Sequence, residues 1–265
     1  MGEPGRGIAT LIGMAHHTRF DIVVGIAGMM RAALNQAIHH SRHRNAFGKR
    51  LADHDLMANV LADLALETEA TMLLAFRLAA AFDASAGNPR ERELQRALTP
   101  IAKYWLCKRM TPVAVEAMEC LGGNGYVEEA PLARLYREAP LNGIWEGSAN
   151  VICLDALRAM ARSGGALAAL MDEIASTPDP RIGLLAAAAT RMLEDKAAAE
   201  RCARSIVEAL ALCMQASLMK RHSSEQAAEA FCASRLGTAG IGHAFGTLGA
   251  GVDMRAIVER AALRT

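Results

Sequence analysis

Glu146 stands in the octapeptide Ile144-Trp145-Glu146-Gly147-Ser148-Ala149-Asn150-Val151, a lone carboxylate among apolar groups with a glycine directly after it. Desolvation disfavours the charged form of a carboxylate placed this way, which suits it to act as a base. The same residues also suit a turn that opens a helix, with Ser148 near its N-cap. Further upstream, Arg44-Asn45-Ala46-Phe47-Gly48 lies in a positive patch with Arg42, Lys49 and Arg50. An arginine fork suits a pyrophosphate, and a solvated helix end, where cations complement the dipole, is the alternative. In Gly122-Gly123-Asn124-Gly125 a ligand can lie against the main chain and meet exposed N–H groups; a helix C-cap followed by a loop is the simpler alternative. His16-His17, His39-His40-Ser41-Arg42-His43 and His54 raise the question of metal. No HExxH or paired Cys/His spacing accompanies them, so solvated helix ends are expected and no metal.

Composition bounds what these residues can serve. The chain has 265 residues, 52% apolar and only 4% aromatic, rich in Ala, Leu, Met and Arg, a balance that favours helix over strand. A net charge of +1 gives no overall basic field toward nucleic acid or membrane. No apolar run approaches the roughly 20 uncharged residues of a membrane span. Six scattered cysteines without a CxxC pair read as reduced thiols of a cytoplasmic protein. The first seven residues hold three glycines and a proline and no apolar signal-peptide core, so they read as a linker.

Helical periodicity accounts for most of the chain. Helices are expected over 8–44, 56–82 and 92–121, with Pro100 and Pro112 kinking the third or marking its early turns. Gly25 and Gly28, one turn apart in the first, would admit another backbone. Residues 122–143 read as irregular, punctuated by Pro131 and Pro140, and 148–161 as a fourth helix. Short connections make this an antiparallel four-helix bundle. The Ser163-Gly164-Gly165 break and the stretch Ser176-Thr177-Pro178-Asp179-Pro180 set off a second region. There a short helix precedes a strongly helical stretch over 181–222, then helices over 223–236 and 254–262. A link rich in glycine (Gly237, Gly240, Gly242, Gly246, Gly249, Gly251) joins the last two; it lacks the Gly-Lys-Ser/Thr ending of a phosphate loop. The expected fold is all-α: a bundle domain over 1–162 and a smaller helical extension over 163–265.

In this order and on this scaffold, the three motifs resemble the C-terminal domain of the acyl-CoA dehydrogenase flavoproteins, over residues 1 to 162. The resemblance implies FAD as cofactor and an acyl-CoA thioester as substrate. Glu146 would be the catalytic base, removing the pro-R α-proton while hydride passes from the β-carbon to flavin N5. Arg44 and Phe47 match the R-x-x-F-G positions that contact the FAD of a neighbouring subunit, which implies a homo-oligomer. Gly122, Gly123, Asn124 and Gly125 would contact the adenosine–pyrophosphate part of that flavin. Ser148 and Asn150 match positions that touch the flavin, and Arg19 an arginine near the catalytic carboxylate. Two departures stand out: Asp55 and Glu119 occupy positions where the family usually has glutamine.

Met29-Met30-Arg31, Leu135-Tyr136-Arg137-Glu138, Asn142 to Ser148 and Cys153-Leu154-Asp155 resemble the AidB-type, alkylation-response branch of that family. Phe231 to Leu236 resembles part of that branch's C-terminal extension, which is implicated in binding double-stranded DNA. The second expectation is therefore a DNA-binding protective flavoprotein with weak or no dehydrogenase activity. Residues 163–265 hold 11 basic and 11 acidic side chains, so such binding would need clustering. Arg158, Arg162, Arg201, Arg204, Lys220, Arg221 and Arg235 are the candidates for one basic face. The family's N-terminal helical and β domains have no counterpart here. The chain thus reads as a fragment carrying about half of the flavin and substrate sites, inactive by itself.

Overall fold

A computed structural model describes residues 4–162, 164–236, 244–249 and 251–263. Met1–Glu3 of the expected linker, Ser163 of the expected boundary, and Gly237, Gly240 and Gly242 of the glycine-rich link lie outside the described residues. The described residues form helices and one two-stranded hairpin, an all-α fold. Three long helices carry the core: α1 (Gly7–His43), α2 (Asp55–Ala84) and α3 (Pro89–Leu121).

Local chemistry explains where they stop and start. Asn88 caps α3 by accepting from the Arg90 and Glu91 amides, with Pro89 in the first turn. Pro100 and Pro112 both lie inside α3, which runs on through them. Phe20 of α1 stacks on Phe82 near the end of α2, so those two helices are antiparallel. His16 meets Thr99, while Met29 and Cys107 both contact Asn142, so α1 and α3 run in the same direction.

The segment 122–143 is not irregular as expected. It holds the short α4 (Gly123–Tyr126) and the twelve-residue α5 (Pro131–Asn142). Pro131 sits in the first turn of α5, where its missing N–H costs nothing, and Pro140 falls in its last turn. α6 (Ala149–Arg162) runs back along α3, bringing Arg158 and Arg162 beside Arg96 and Arg92.

The extension comprises α7 (Gly164–Ala175), α8 (Pro180–Met192), α9 (Lys196–Arg201), α10 (Ala203–His222), α11 (Glu225–Arg235) and α12 (Met254–Ala261). The expected single helical stretch over 181–222 is thus three helices. Asp195 caps α9 through the Ala197 and Ala198 amides and so divides the alanine-rich run.

One hydrophobic core spans bundle and extension, with α7 packed along α3, and α10 and α12 along α2. Two buried charge clusters fasten them. Arg77 of α2 bridges Glu91 and Glu173, and Arg221 adds a second cation at 2.9 Å from Glu173. Burial opposes ionisation of Glu173, yet those hydrogen bonds bring its carboxyl down to about 2. In the second cluster Arg235 of α11 reaches into α2 to pair with Asp63 and Glu67, and Arg109 holds Glu67 from α3. No helix among the described residues is long and apolar enough to cross a membrane.

Candidate functional site

Backbone strain marks two motif residues. Among the described residues, the non-glycine positions with positive φ are Phe47 (54°) and Glu146 (57°). A bulky or charged side chain enters the left-handed region only where its surroundings hold it there.

Glu146 sits on the bend between α5 and α6, held from beneath by two cations. Lys103 of α3, 1% exposed, donates from Nζ to the Trp145 carbonyl at 3.0 Å and to the Gly147 carbonyl at 2.6 Å. Arg19 of α1 donates from Nε to the Glu146 carbonyl at 3.0 Å and pairs with Asp155 at 2.5 Å. Three successive carbonyls therefore point inward. Every peptide here is trans, so the amides of Glu146, Gly147 and Ser148 point the opposite way. None has an acceptor among the described residues. Gly147, at φ 110°, packs its α-carbon against Ile152, which a side chain would strike at 3.0 Å. Ser148 does occupy the helix-start position, its carbonyl accepting from Ile152, so the helix-start reading of this motif holds.

A groove of about 320 Å³ opens beside the Glu146 side chain. Ile22, Gly25, Met29 and Trp145 give it an apolar wall; Thr18, Asp21 and Asn142 supply polar points. A Cβ on Gly25 or Gly28 would meet nothing within 4 Å, so among the described residues no other backbone approaches them. Gly25 instead keeps the groove open. Glu146 is not shielded by its apolar sequence neighbours as expected: Ile144 is 65% and Trp145 48% exposed.

The other two motifs lie at the far end of the bundle. Asn45–Ala46 pairs with Lys49–Arg50, leaving Phe47 and Gly48 as a two-residue turn with both φ positive. That turn lifts Phe47 to 91% exposure, beside the exposed Arg44. Gly122 ends α3, and Gly125 is buried where a Cβ would come within 2.4 Å of the Met118 carbonyl. The C-cap reading therefore holds for Gly122 and close packing explains Gly125, while Gly123 and Asn124 are exposed. Along α3, this end is about 28 Å from Lys103, at 1.5 Å per residue. Asp55, one of the two departures, lies 3.6 Å from Arg255 of α12, so a cation of the extension meets that anion.

The expected single basic face does not form. Arg235 is only 8% exposed and spent on Asp63 and Glu67. Lys220 pairs with Asp179 and Glu229, and Arg221 with Glu173. Arg204 is exposed but donates to Asn150 Oδ1 at 2.9 Å, which ties α10 to a candidate flavin-contacting residue. Arg158, Arg162 and Arg201 are exposed and hold no ion pair among the described residues. Arg158 and Arg162 line a cleft of about 380 Å³ with Arg19, Arg92 and Arg96, where burial pushes His16 down to about 4. Sequence reasoning missed Lys103 and the α2 residues Asn59, Asp63 and Glu67. The signal for the latter was a polar stripe at four-residue spacing in an apolar helix.

The chain is thus a helical bundle with a strained carboxylate bend beside an apolar groove at one end and an exposed Arg–Phe hairpin at the other. The family described as "Acyl-CoA dehydrogenase, C-terminal domain" matches residues 5–161, and the chain belongs to the acyl-CoA dehydrogenase family. It is 39% identical to AidB of Escherichia coli (strain K12) over 240 residues, 91% of this chain and 44% of that protein. It is 38% identical to the glutaryl-CoA dehydrogenase of Desulfococcus multivorans over 59% of this chain and 40% of that enzyme. The crystal structure of Caenorhabditis elegans ACDH-11 in complex with C11-CoA superposes with a TM-score of 0.78 at 27% identity, covering 89% of this chain and 46% of the other. The chain thus spans less than half the length of these relatives.

Proposed function

We propose that this chain is the base-bearing part of an FAD-dependent acyl-CoA dehydrogenase. The observation that carries the reading is the placement of Glu146 on a strained bend at the mouth of the apolar groove. The groove would take the acyl chain. The outward amides of the bend offer donors to the thioester oxygen, which acidifies the α-carbon as charge builds on that oxygen. Glu146 then accepts the α-proton on its carboxylate. Bound FAD would supply the hydride acceptor. The residues fit that group: Ser148 and Asn150 open α6 beside Glu146, and Arg44 and Phe47 stand exposed with Gly123 and Asn124 at the far end. Because the two ends are about 28 Å apart, the far end would serve the flavin of a second copy, making the protein a homo-oligomer. In this reading residues 1–162 are the family's domain and 163–265 its extension. Free thiols, mostly buried, suit the reducing cytoplasm.

The test is anaerobic mixing of the complete flavin-loaded protein with acyl-CoAs of short to long chain. Flavin absorbance near 450 nm should bleach with at least one of them. No bleaching with any chain length, by a protein holding full flavin, would overturn the reading.

A second reading, binding of duplex DNA, draws on the exposed Arg158, Arg162 and Arg201, which hold no ion pair among the described residues. Phosphate contacts would make it sequence-independent and salt-sensitive. Reversal of both Arg158 and Arg162 to glutamate should weaken duplex binding in fluorescence anisotropy at low salt, with flavin content unchanged. Equal affinity of variant and wild type would remove these arginines from any DNA contact.

A further inference from the structure

We propose that Lys103 is a positioning residue for the catalytic bend, holding the Trp145 and Gly147 carbonyls inward so that the Glu146 carboxylate and the amides around it face the groove. The inference rests on the dehydrogenase reading for its kinetic consequence, but not for its structural one.

Lys103 is among the largest fully buried side chains of the described residues. A buried ammonium is costly to desolvate, and a methionine would fill the same space without that cost. The cost is offset only by what the ammonium holds, and the hydrogen bonds of Lys103 go to the two carbonyls that flank Glu146. The Ile144 and Trp145 amides tie the start of the bend to the Leu141 carbonyl, but its side chains add little. Ile144 and Trp145 are exposed, and the Glu146 side chain has no hydrogen-bond or ion-pair partner among the described residues. Arg19 secures the middle carbonyl, but its guanidinium is shared with Asp155. Each carbonyl drawn inward turns the amide of the following residue outward. Lys103 therefore sets the direction of two of the three free amides, those of Glu146 and Ser148, as well as the left-handed φ of Glu146. Lys103 lies one side chain away from the chemistry and touches neither groove nor substrate.

The experiment uses Lys103→Met in two settings. In the 265-residue chain, acrylamide quenching reads the mobility of Trp145, since Trp105 is buried with its indole N–H on Gln215. Quenching should rise in the variant, and this readout needs neither flavin nor activity. In the complete flavin-loaded protein, kcat per bound flavin should fall by about 10²-fold, the scale of a one-ångström misplacement, with KM unchanged. A purely structural role would instead lower flavin content and melting temperature while leaving kcat per bound flavin intact. Lys103→Gln, which can still donate to one carbonyl, should give intermediate quenching and kcat, and it carries the test if the methionine variant does not fold. Wild-type quenching together with wild-type kcat per bound flavin would overturn the proposal. Raised quenching in a protein whose wild type shows no turnover would uphold the clamp and sink the dehydrogenase reading alone.

Discussion

Replacing Glu146 by glutamine in the complete flavin-loaded protein is expected to lower acyl-CoA turnover by about 10² to 10⁴-fold, the usual contribution of a general base. The substitution keeps volume and polarity, and the wild-type carboxylate makes no hydrogen bond or ion pair among the described residues that its loss would break. Flavin content and melting temperature should therefore stay at wild-type values. That separation is what makes the result interpretable, because a catalytic deficit without a stability deficit can come only from lost chemistry. Steady-state kinetics normalised to flavin absorbance is the measurement. Turnover retained within a factor of about three, well inside what one missing general base should cost, would place the base elsewhere and leave Glu146 as the residue that opens α6.

The second large effect concerns the buried cluster on α2. Asp63 and Glu67 are each 1% exposed, and Arg235 is their bridge to the extension. Burial works against ionisation of Glu67, and the charges of Arg109 and Arg235 overcome it, holding the carboxyl below its ordinary 4.5. Arg235→Met should cost about 3–5 kcal/mol of unfolding free energy at pH 7, because it leaves buried Asp63 without a cation and Glu67 with Arg109 alone. The pH dependence follows from the sign of the shift. A depressed carboxyl stabilises the fold above its unfolded value, and that contribution fades as pH falls below 4.5. The deficit of the variant should thus be largest at neutral pH and shrink on acidification. Guanidinium titrations at pH 7 and pH 4 measure it. A deficit below about 1 kcal/mol at pH 7, or one independent of pH, would show that the cluster is not fastened by charge.

Much of this architecture was legible in the chain, and the exceptions have physical causes. Long helices announce themselves through periodic burial, so α1, α2, α3 and α6 fall close to their expected limits. α5 was hidden because its prolines sit at its first and last turns, positions a helix tolerates but which read as punctuation. The break before α9 was hidden by alanine, which favours helix so strongly that it masks the Asp195 cap. The site motifs were legible as residue types in order, and their resemblance supplied the roles. Their three-dimensional separation into two ends was not legible, since it depends on α5, read as irregular, carrying the chain back from the end of α3 to the Glu146 bend. Charge misled most. A string of cations reads as a face until carboxylates distant in sequence, such as Glu173 and Asp63, are seen to consume it. Lys103 shows the converse: one lysine in an apolar helix looks like a solvated side chain, and only the fold reveals the carbonyls it holds.

The stripe on α2 bears on how such a chain can be recombined. Asn59 exchanges two hydrogen bonds with the Leu248 backbone, Asp63 accepts from the Gly246 amide, and Glu67 meets Arg235. Val60 fills the space where a side chain on residue 246 would go. On the opposite flank Arg204 holds Asn150. Residues on both sides of position 163 therefore share these matches, and an extension transplanted from a distant homologue would have to bring its own partners for positions 59, 60, 63, 67 and 150.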